Sequence, residues 1–236
     1  MKLENKRILV TGGATGIGCA ICQRLVREGA TVYVNYRTRE EEALQLKREF
    51  GDSVYLVRAD VREPDQVRDM LQEIDRLDSV VHAACAPLFD GEIFGLSWDT
   101  FVNQWEVAVR GAFLLVGGCL DKGLESAVFL LSSVTIGVPP AEKSAYVSAK
   151  YALYGLAKSM AVELAPIRVN CVSPSFTDTP LTSHVDPRVK KLIARASPFR
   201  RLCSPEDVAG AVSFLISDDS SYVTGINLPV CGGVQM

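Results

Sequence analysis

Seven short apolar runs punctuate the chain, at residues 7–11, 31–36, 53–59, 79–84, 127–132, 167–172 and 226–230. Each is only a few residues long, and most end at glycine or small polar residues, the mark of strands buried on both faces. Between them lie longer stretches in which apolar residues recur every three to four positions, the spacing of a helix face. This pattern predicts helices from the glycines near 16 to about 28, over 39–50, 63–76 and 144–163, and a short one over 186–196. Ser97 reads as an N-cap with Asp99 in the first turn of a helix that continues through TFVNQWEVAVRGAFLLVGGCL. Ser204-Pro205-Glu206-Asp207 opens another. Strand and helix in regular alternation predict an α/β domain, a doubly wound parallel sheet of about seven strands with helices on both faces. No linker, repeat or low-complexity segment divides residues 1–236, so one domain is the simplest reading. Residues 176–203 are polar and loop-like, a candidate lid over the strand ends.

The first run feeds directly into TGGATGIG, with glycines at 12, 13, 16 and 18. Strand, glycine turn and helix in that order suit a dinucleotide. Glycines let the backbone approach a pyrophosphate, and the helix start offers free N–H groups and the positive end of a dipole. The second run ends in Asn35, Tyr36 and Arg37. An acid at this place would repel a 2′-phosphate. Arg37 can pair with one, or it is a solvated arginine of the charged turn; the reading taken is NADPH rather than NADH. Asp60, after the third run, faces the adenine or caps the next helix.

In LLSSVTIGVPPAEKSAYVSAK, Ser133 stands thirteen residues before Tyr146, and Lys150 four residues after it. On a helix over 144–163, Tyr146 and Lys150 share a face, one turn apart. A phenol beside a fixed ammonium ionises more easily, which makes it a proton donor and acceptor. Taken alone, Tyr-x-x-x-Lys is an ordinary helix face; the glycine loop upstream supplies the partner for this chemistry.

Composition narrows the alternatives. A net charge of −3 gives no basic field for nucleic acid. No apolar stretch reaches the length of a membrane span, and MKLENKRILV has no signal-peptide core. Seven scattered cysteines, an odd number, fit a reducing cytoplasm; Cys19 and Cys22 read as small packing residues inside a helix. Two histidines make a histidine metal site or a Ser-His-Asp triad improbable, and no metal is expected.

On TGGATGIG at 11–18, Asp60-Val61, Ser133, YVSAK at 146–150, IRVNCVSP at 167–174 and PEDVAGAVSFLISDDSSYVTG, the chain resembles the short-chain dehydrogenase/reductase family over essentially its whole length. Within it, the β-ketoacyl-acyl-carrier-protein reductases are the most similar. The resemblance implies a Rossmann-like fold and hydride transfer from NADPH to a carbonyl carbon. Tyr146 would donate the proton, Lys150 would hold the nicotinamide ribose and lower the tyrosine pKa, and Ser133 would hydrogen-bond the carbonyl oxygen. It implies cofactor contacts from Gly12, Ala14, Thr15, Gly16, Ile17, Gly18, Asn35, Arg37, Asp60, Val61, Ala83, Tyr146, Lys150, Pro174, Thr177 and Thr179. It further implies a small-molecule carbonyl substrate, free or carried on a carrier protein, and a homodimer or homotetramer. The oxidative direction and a weakly catalytic cofactor-binding protein are the alternatives.

Three places depart from the family pattern. Asn-Asn-Ala-Gly after the fourth strand is His82-Ala83-Ala84-Cys85; the asparagine of W-x-V-N-V-x-G is Ala108; and Pro-Gly and Asp-Gly-Gly near the end are Pro174-Ser175 and Cys231-Gly232-Gly233. Ala108 removes the amide expected behind Lys150. His82 reads as a packed or hydrogen-bonded structural residue.

Overall fold

The computed structural model describes residues 2–234. The apolar runs become strands β1 (Arg7–Thr11), β2 (Thr31–Tyr36), β3 (Val54–Arg58), β4 (Ser79–His82), β5 (Ser126–Leu130), β6 (Arg168–Pro174) and β7 (Asn227–Val230). All neighbours pair in parallel, in the order β3-β2-β1-β4-β5-β6-β7. The chain starts in the middle, winds out to β3, and returns to place β4 on the other side of β1. That reversal opens a crevice at the carboxyl ends of β1 and β4, where open α/β sheets take ligands.

The helices are α1 (Gly16–Arg27), α2 (Glu40–Phe50), α3 (Pro64–Gln72), α4 (Trp98–Trp105), α5 (Gly111–Gly117), α6 (Ser144–Glu163), α7 (Pro187–Ala196) and α8 (Pro205–Ile216). Successive strand residues point to opposite faces. Ile8, Val10, Val81, Val128 and Val172 pack under α1 and α8, while Leu9, Val80, Phe129 and Val169 pack under α3, α5 and α6. Both faces are covered, so the strands carry unbroken apolar runs rather than alternation.

Caps fall where the sequence placed them. Ser97 Oγ accepts from Thr100 N–H, and Ser204 with Asp207 forms a reciprocal capping box at α8. The helix expected over 63–76 is shorter because Ile74 and Leu77 turn fully into the core and Lys122 Nζ takes the Ile74 carbonyl at 2.8 Å. Asp60 does not cap it; the N-cap position is Glu63, which makes no side-chain cap bond.

The helix read as continuous from residue 100 onward is interrupted. Between α4 and α5 the backbone widens into a π turn, Glu106–Arg110. Gly111 N–H reaches Glu106 O rather than Val107 O, which frees the Val107 carbonyl from the regular pattern. At residues 176–203, Thr177 pairs with Cys203 as a parallel bridge, so the segment leaves and re-enters the molecule at one place. Its helix α7 buries no residue fully. No helix among the described residues is long and apolar enough to cross a membrane.

Candidate active site

The nucleotide half of the crevice is shaped by backbone. Thr15, the N-cap of α1, is extended and makes no side-chain cap bond, and no acid stands in the first turn. The helix therefore presents unpartnered amides and its positive end to an anion. Gly12 adopts φ +62°, and a Cβ there would sit 2.9 Å from Ala84 Cα. A Cβ on Gly18 would overlap the Gly12 carbonyl, and Gly16, at φ +56°, faces Thr179. Gly13 lies on the wholly buried Cys22, whose Sγ a Cβ would meet at 2.9 Å. These positions form a cradle that only glycine leaves open, and the cradle fits a dinucleotide. Ile17, Pro174, Thr177 and Thr179 line the same crevice, with Thr177 Oγ1 held by Ser175 O at 2.9 Å. Ala14 is buried against Tyr36 and Ala43, and Ala83 is half-buried against the core under α1.

Asn35 requires a correction. Its side chain is 2 % exposed, and Nδ2 donates to Val57 O at 3.2 Å and Ala59 O at 3.1 Å. The amide ties the ends of β2 and β3 together and is not offered to a nucleotide. Arg37, next to it, is exposed and reaches Asp60 Oδ2 at 3.3 Å. Asp60 is also gripped by Arg62, whose hydrogen bonds, followed by those of the Arg62 amide and Arg37, pull its pKa down to about 2 against the opposing effect of burial. Arg58 Nε donates to Arg37 O. Two guanidinium groups thus hold one carboxylate at the ends of β2 and β3, with a third, Arg58, on the backbone of Arg37. Val61 is buried and packs where a Cβ on Gly111 would meet it at 3.1 Å.

The reaction half is shaped by side chains. A single turn, Ser133–Thr135, follows β5 and is capped by Ser132, with Thr135 Oγ1 donating to Ser132 O at 2.8 Å. Ser132, Ser133 and Tyr146 line one cavity of about 890 Å³. Lys150 is 4 % exposed; its Nζ donates to Leu130 O at 2.6 Å and lies 5.6 Å from the centroid of the Tyr146 ring. Burial pushes the phenol upward, the neighbouring Cys85 adds to this, and only the Ser132 hydroxyl pulls the other way. Burial also lowers the lysine. With its pKa raised, Tyr146 keeps its proton at neutral pH in this structure.

Sequence reasoning named Ser133 and passed over Ser132, whose signal was present in the Ser-Ser pair. It flagged Cys85, now seen beside both Tyr146 and Lys150. Charged groups in the cavity wall are already paired, Lys143 with Asp90 and Arg201 with Asp207. Leu88, Pro140, Leu181, Ile193 and Phe199 make much of the rest of the wall apolar.

His82 is structural, as the sequence indicated, with partners the sequence could not name. Nδ1 lies 2.8 Å from Thr11 Oγ1, and Nε2 lies 3.0 Å from Val107 O. A carbonyl only accepts, so Nε2 carries the hydrogen and Nδ1 accepts from the Thr11 hydroxyl. That hydroxyl in turn accepts from Ala84 N–H at 3.2 Å. Burial, and secondarily Lys150, lowers the imidazole pKa to about 4, so the ring is neutral.

The family profile described as enoyl-(acyl carrier protein) reductase matches residues 12–235. Tropinone reductase-like 3 of Erythroxylum coca is 33% identical, over 98% of this chain and 94% of that one. Acetoacetyl-CoA reductase of Allochromatium vinosum is 31% identical over 97% and 98%, and cyclopentanol dehydrogenase of Comamonas testosteroni 34% over 98% and 98%. A solved short chain dehydrogenase/reductase family protein superimposes with a TM-score of 0.88 at 32% identity, covering 99% of this chain and 98% of its own. A putative gluconate dehydrogenase from Agrobacterium tumefaciens, at 22% identity and a TM-score of 0.92, shares the fold. With the glycine cradle at the strand crossover, and with serine and tyrosine in one cavity backed by the buried lysine, these likenesses make the chain a member of the short-chain dehydrogenase/reductase family, an NAD(P)-dependent oxidoreductase.

Proposed function

We propose that the protein is an NADPH-dependent carbonyl reductase acting on a ketoacyl-type or other small ketone. The observation that carries this reading is Tyr146 in one cavity with Ser133, backed by Lys150. When bound, the nicotinamide supplies the hydride. Ser133 hydrogen-bonds the carbonyl oxygen and fixes its direction. Tyr146 gives its proton to the oxygen as negative charge develops there. Lys150, anchored by Leu130 O, has two further N–H groups for the ribose and for the phenolate left behind. The apolar wall and the paired charges suit an uncharged carbonyl-bearing group.

Preference for NADPH is supported by Arg37, Arg58 and Arg62, which outnumber the single carboxylate of Asp60 at the ends of β2 and β3. The segment 176–203, joined at its base, acts as the lid. The exposed apolar side chains Trp98, Trp105, Phe113, Tyr151 and Val162 give the homo-oligomer a surface through which a second copy associates; light scattering of the purified protein checks this, with a monomer as the opposing result.

The test is Tyr146→Phe assayed against a panel of ketones and ketoacyl thioesters, with NADPH and NADH binding followed by fluorescence. Loss of reduction with binding retained supports the reading, and unchanged turnover defeats it. Cys85 beside Tyr146 and the alanine at 108 favour a second reading, a cofactor-binding protein with little turnover. Tight NADPH binding by the wild type without oxidation by any carbonyl would select it.

A further inference from the structure

The alanine at 108 leaves a question that the fold answers with another residue. The π turn Glu106–Arg110 lies between two regular helices and packs against α6, the helix of Tyr146 and Lys150. A π turn releases a carbonyl from the regular pattern, and a buried carbonyl is normally paired. Here that carbonyl is Val107 O, adjacent to Ala108, and its partner is His82 Nε2–H at 3.0 Å. The ring is held at its other nitrogen by Thr11, at the threshold of the glycine loop. Gly111 closes the turn by lying directly on the ring, since a Cβ there would stand 3.2 Å from His82 Cε1. Phe129 stands edge-on to the imidazole at a centroid distance of 6.4 Å. The ring thus has two hydrogen bonds and two packed sides.

We propose that His82 is the positioning residue that holds the π turn behind Lys150, in the place of the side-chain amide absent at Ala108. This rests on the carbonyl-reduction reading of the same site. His82 does not touch the reacting atoms. It fixes the backbone against which α6 carries Tyr146 and Lys150, and as a neutral ring it adds no second cation beside the lysine. An asparagine at 108 would bring its own amide to the turn. The imidazole reaches the turn from β4, and the alanine at 108 is itself buried, 5 % exposed.

The experiment compares His82→Phe, which keeps a ring and loses both hydrogen bonds, with His82→Asn, Ala108→Asn and the double variant His82→Asn/Ala108→Asn. For His82→Phe, kcat is expected to fall roughly 10- to 100-fold while the Kd for NADPH stays within about 2-fold, and the pH profile of kcat is expected to shift. Ala108→Asn is expected to recover about 10-fold in kcat when added to His82→Asn. An unmoved kcat and pH profile in His82→Phe overturns the proposal. So does a fall in kcat matched by a fall in NADPH affinity, and so does a double variant no better than His82→Asn. If the phenylalanine variant does not fold, the comparison of His82→Asn with the double variant decides alone.

A second readout needs no turnover. With only two histidines in the chain, nitrogen resonances of the imidazoles are assigned with one variant. His82 must show a protonated Nε2 and a bare Nδ1 at neutral pH, with NADPH absent or bound. A protonated Nδ1 overturns the proposal whether or not a substrate is found. Correct tautomer with no carbonyl reduced by the wild type means instead that the reading of the activity has failed.

Discussion

The two halves of the crevice are built on opposite plans. The nucleotide half consists of backbone brought close by the absence of side chains: Gly12 against Ala84, Gly18 against Gly12, Gly16 against Thr179. The reaction half consists of side chains brought together from distant parts of the chain: Ser133 after β5, Tyr146 and Lys150 on α6, Cys85 after β4. The first plan tolerates no added atom, and the second tolerates no lost one. The same distinction separates how much each half contributes to folding and how much to chemistry.

Five substitutions, two of them read in pH scans, can break this comparison. The largest effect is expected from Tyr146→Phe, which removes the proton donor and should lower carbonyl reduction by about 10³-fold with the melting temperature almost unmoved. A variant that melts much earlier would show the phenol hydroxyl to be structural. Gly18→Ala should do the reverse. Its Cβ falls on the Gly12 carbonyl, so it should cost about 3 kcal/mol of stability in urea unfolding and weaken NADPH and NADH equally. Arg37→Ala should raise the Kd for NADPH by ~10- to 100-fold, through the lost charged hydrogen bond, and leave NADH unchanged. Equal weakening of both nucleotides would remove the basis for the 2′-phosphate assignment.

Smaller effects come from pH. The folded pKa of His82 is about 4, against an ordinary value of 6.5. Between these values the unfolded chain binds a proton that the folded chain refuses. Stability contributed by the neutral ring is therefore complete above about pH 6.5 and declines as pH falls toward 4, by at most roughly 1.4 kcal/mol per pH unit. Urea midpoints across that window should slope in the wild type and flatten in His82→Phe. Asp60, held at about 2 by Arg62 and Arg37 against an ordinary 3.8, acts over a lower and narrower window. Its contribution is present above the ordinary value and is lost as pH falls toward 2. Asp60→Asn should show less acid sensitivity there, a small change on a partly solvated group.

Legibility in the sequence follows the same division. Glycines in a fixed spacing record the close approach of backbone to backbone, so the cradle was readable without coordinates. The nearness of Ser133 to Tyr146 and Lys150 was readable because two share a helix face and the third follows a strand. The sheet was readable because strands buried on both faces write continuous apolar runs. The role of Asn35 and the partners of His82 were not readable, because each depends on a carbonyl supplied by a segment more than 20 residues away. Asn35 looked like a ligand at a strand end, yet its amide faces inward. The π turn was invisible for a related reason: nothing in EVAVR differs from a regular helix until the His82 ring is brought against it. The desolvation that raises the phenol pKa was not readable, because spacing reveals a neighbouring ammonium and not the burial around the ring.

Asn35 has one more consequence. Its amide bolts the end of β3, the outermost strand on that side of the sheet, to β2. Arg37 and Asp60 stand just beyond the bolt, one on each side. A nucleotide grasped by both would therefore clamp the sheet margin from outside, as the amide does from within. Saturation with cofactor should then slow deuterium uptake along β3 ahead of the other margin at β7, making the sheet edge a reporter of adenosine occupancy.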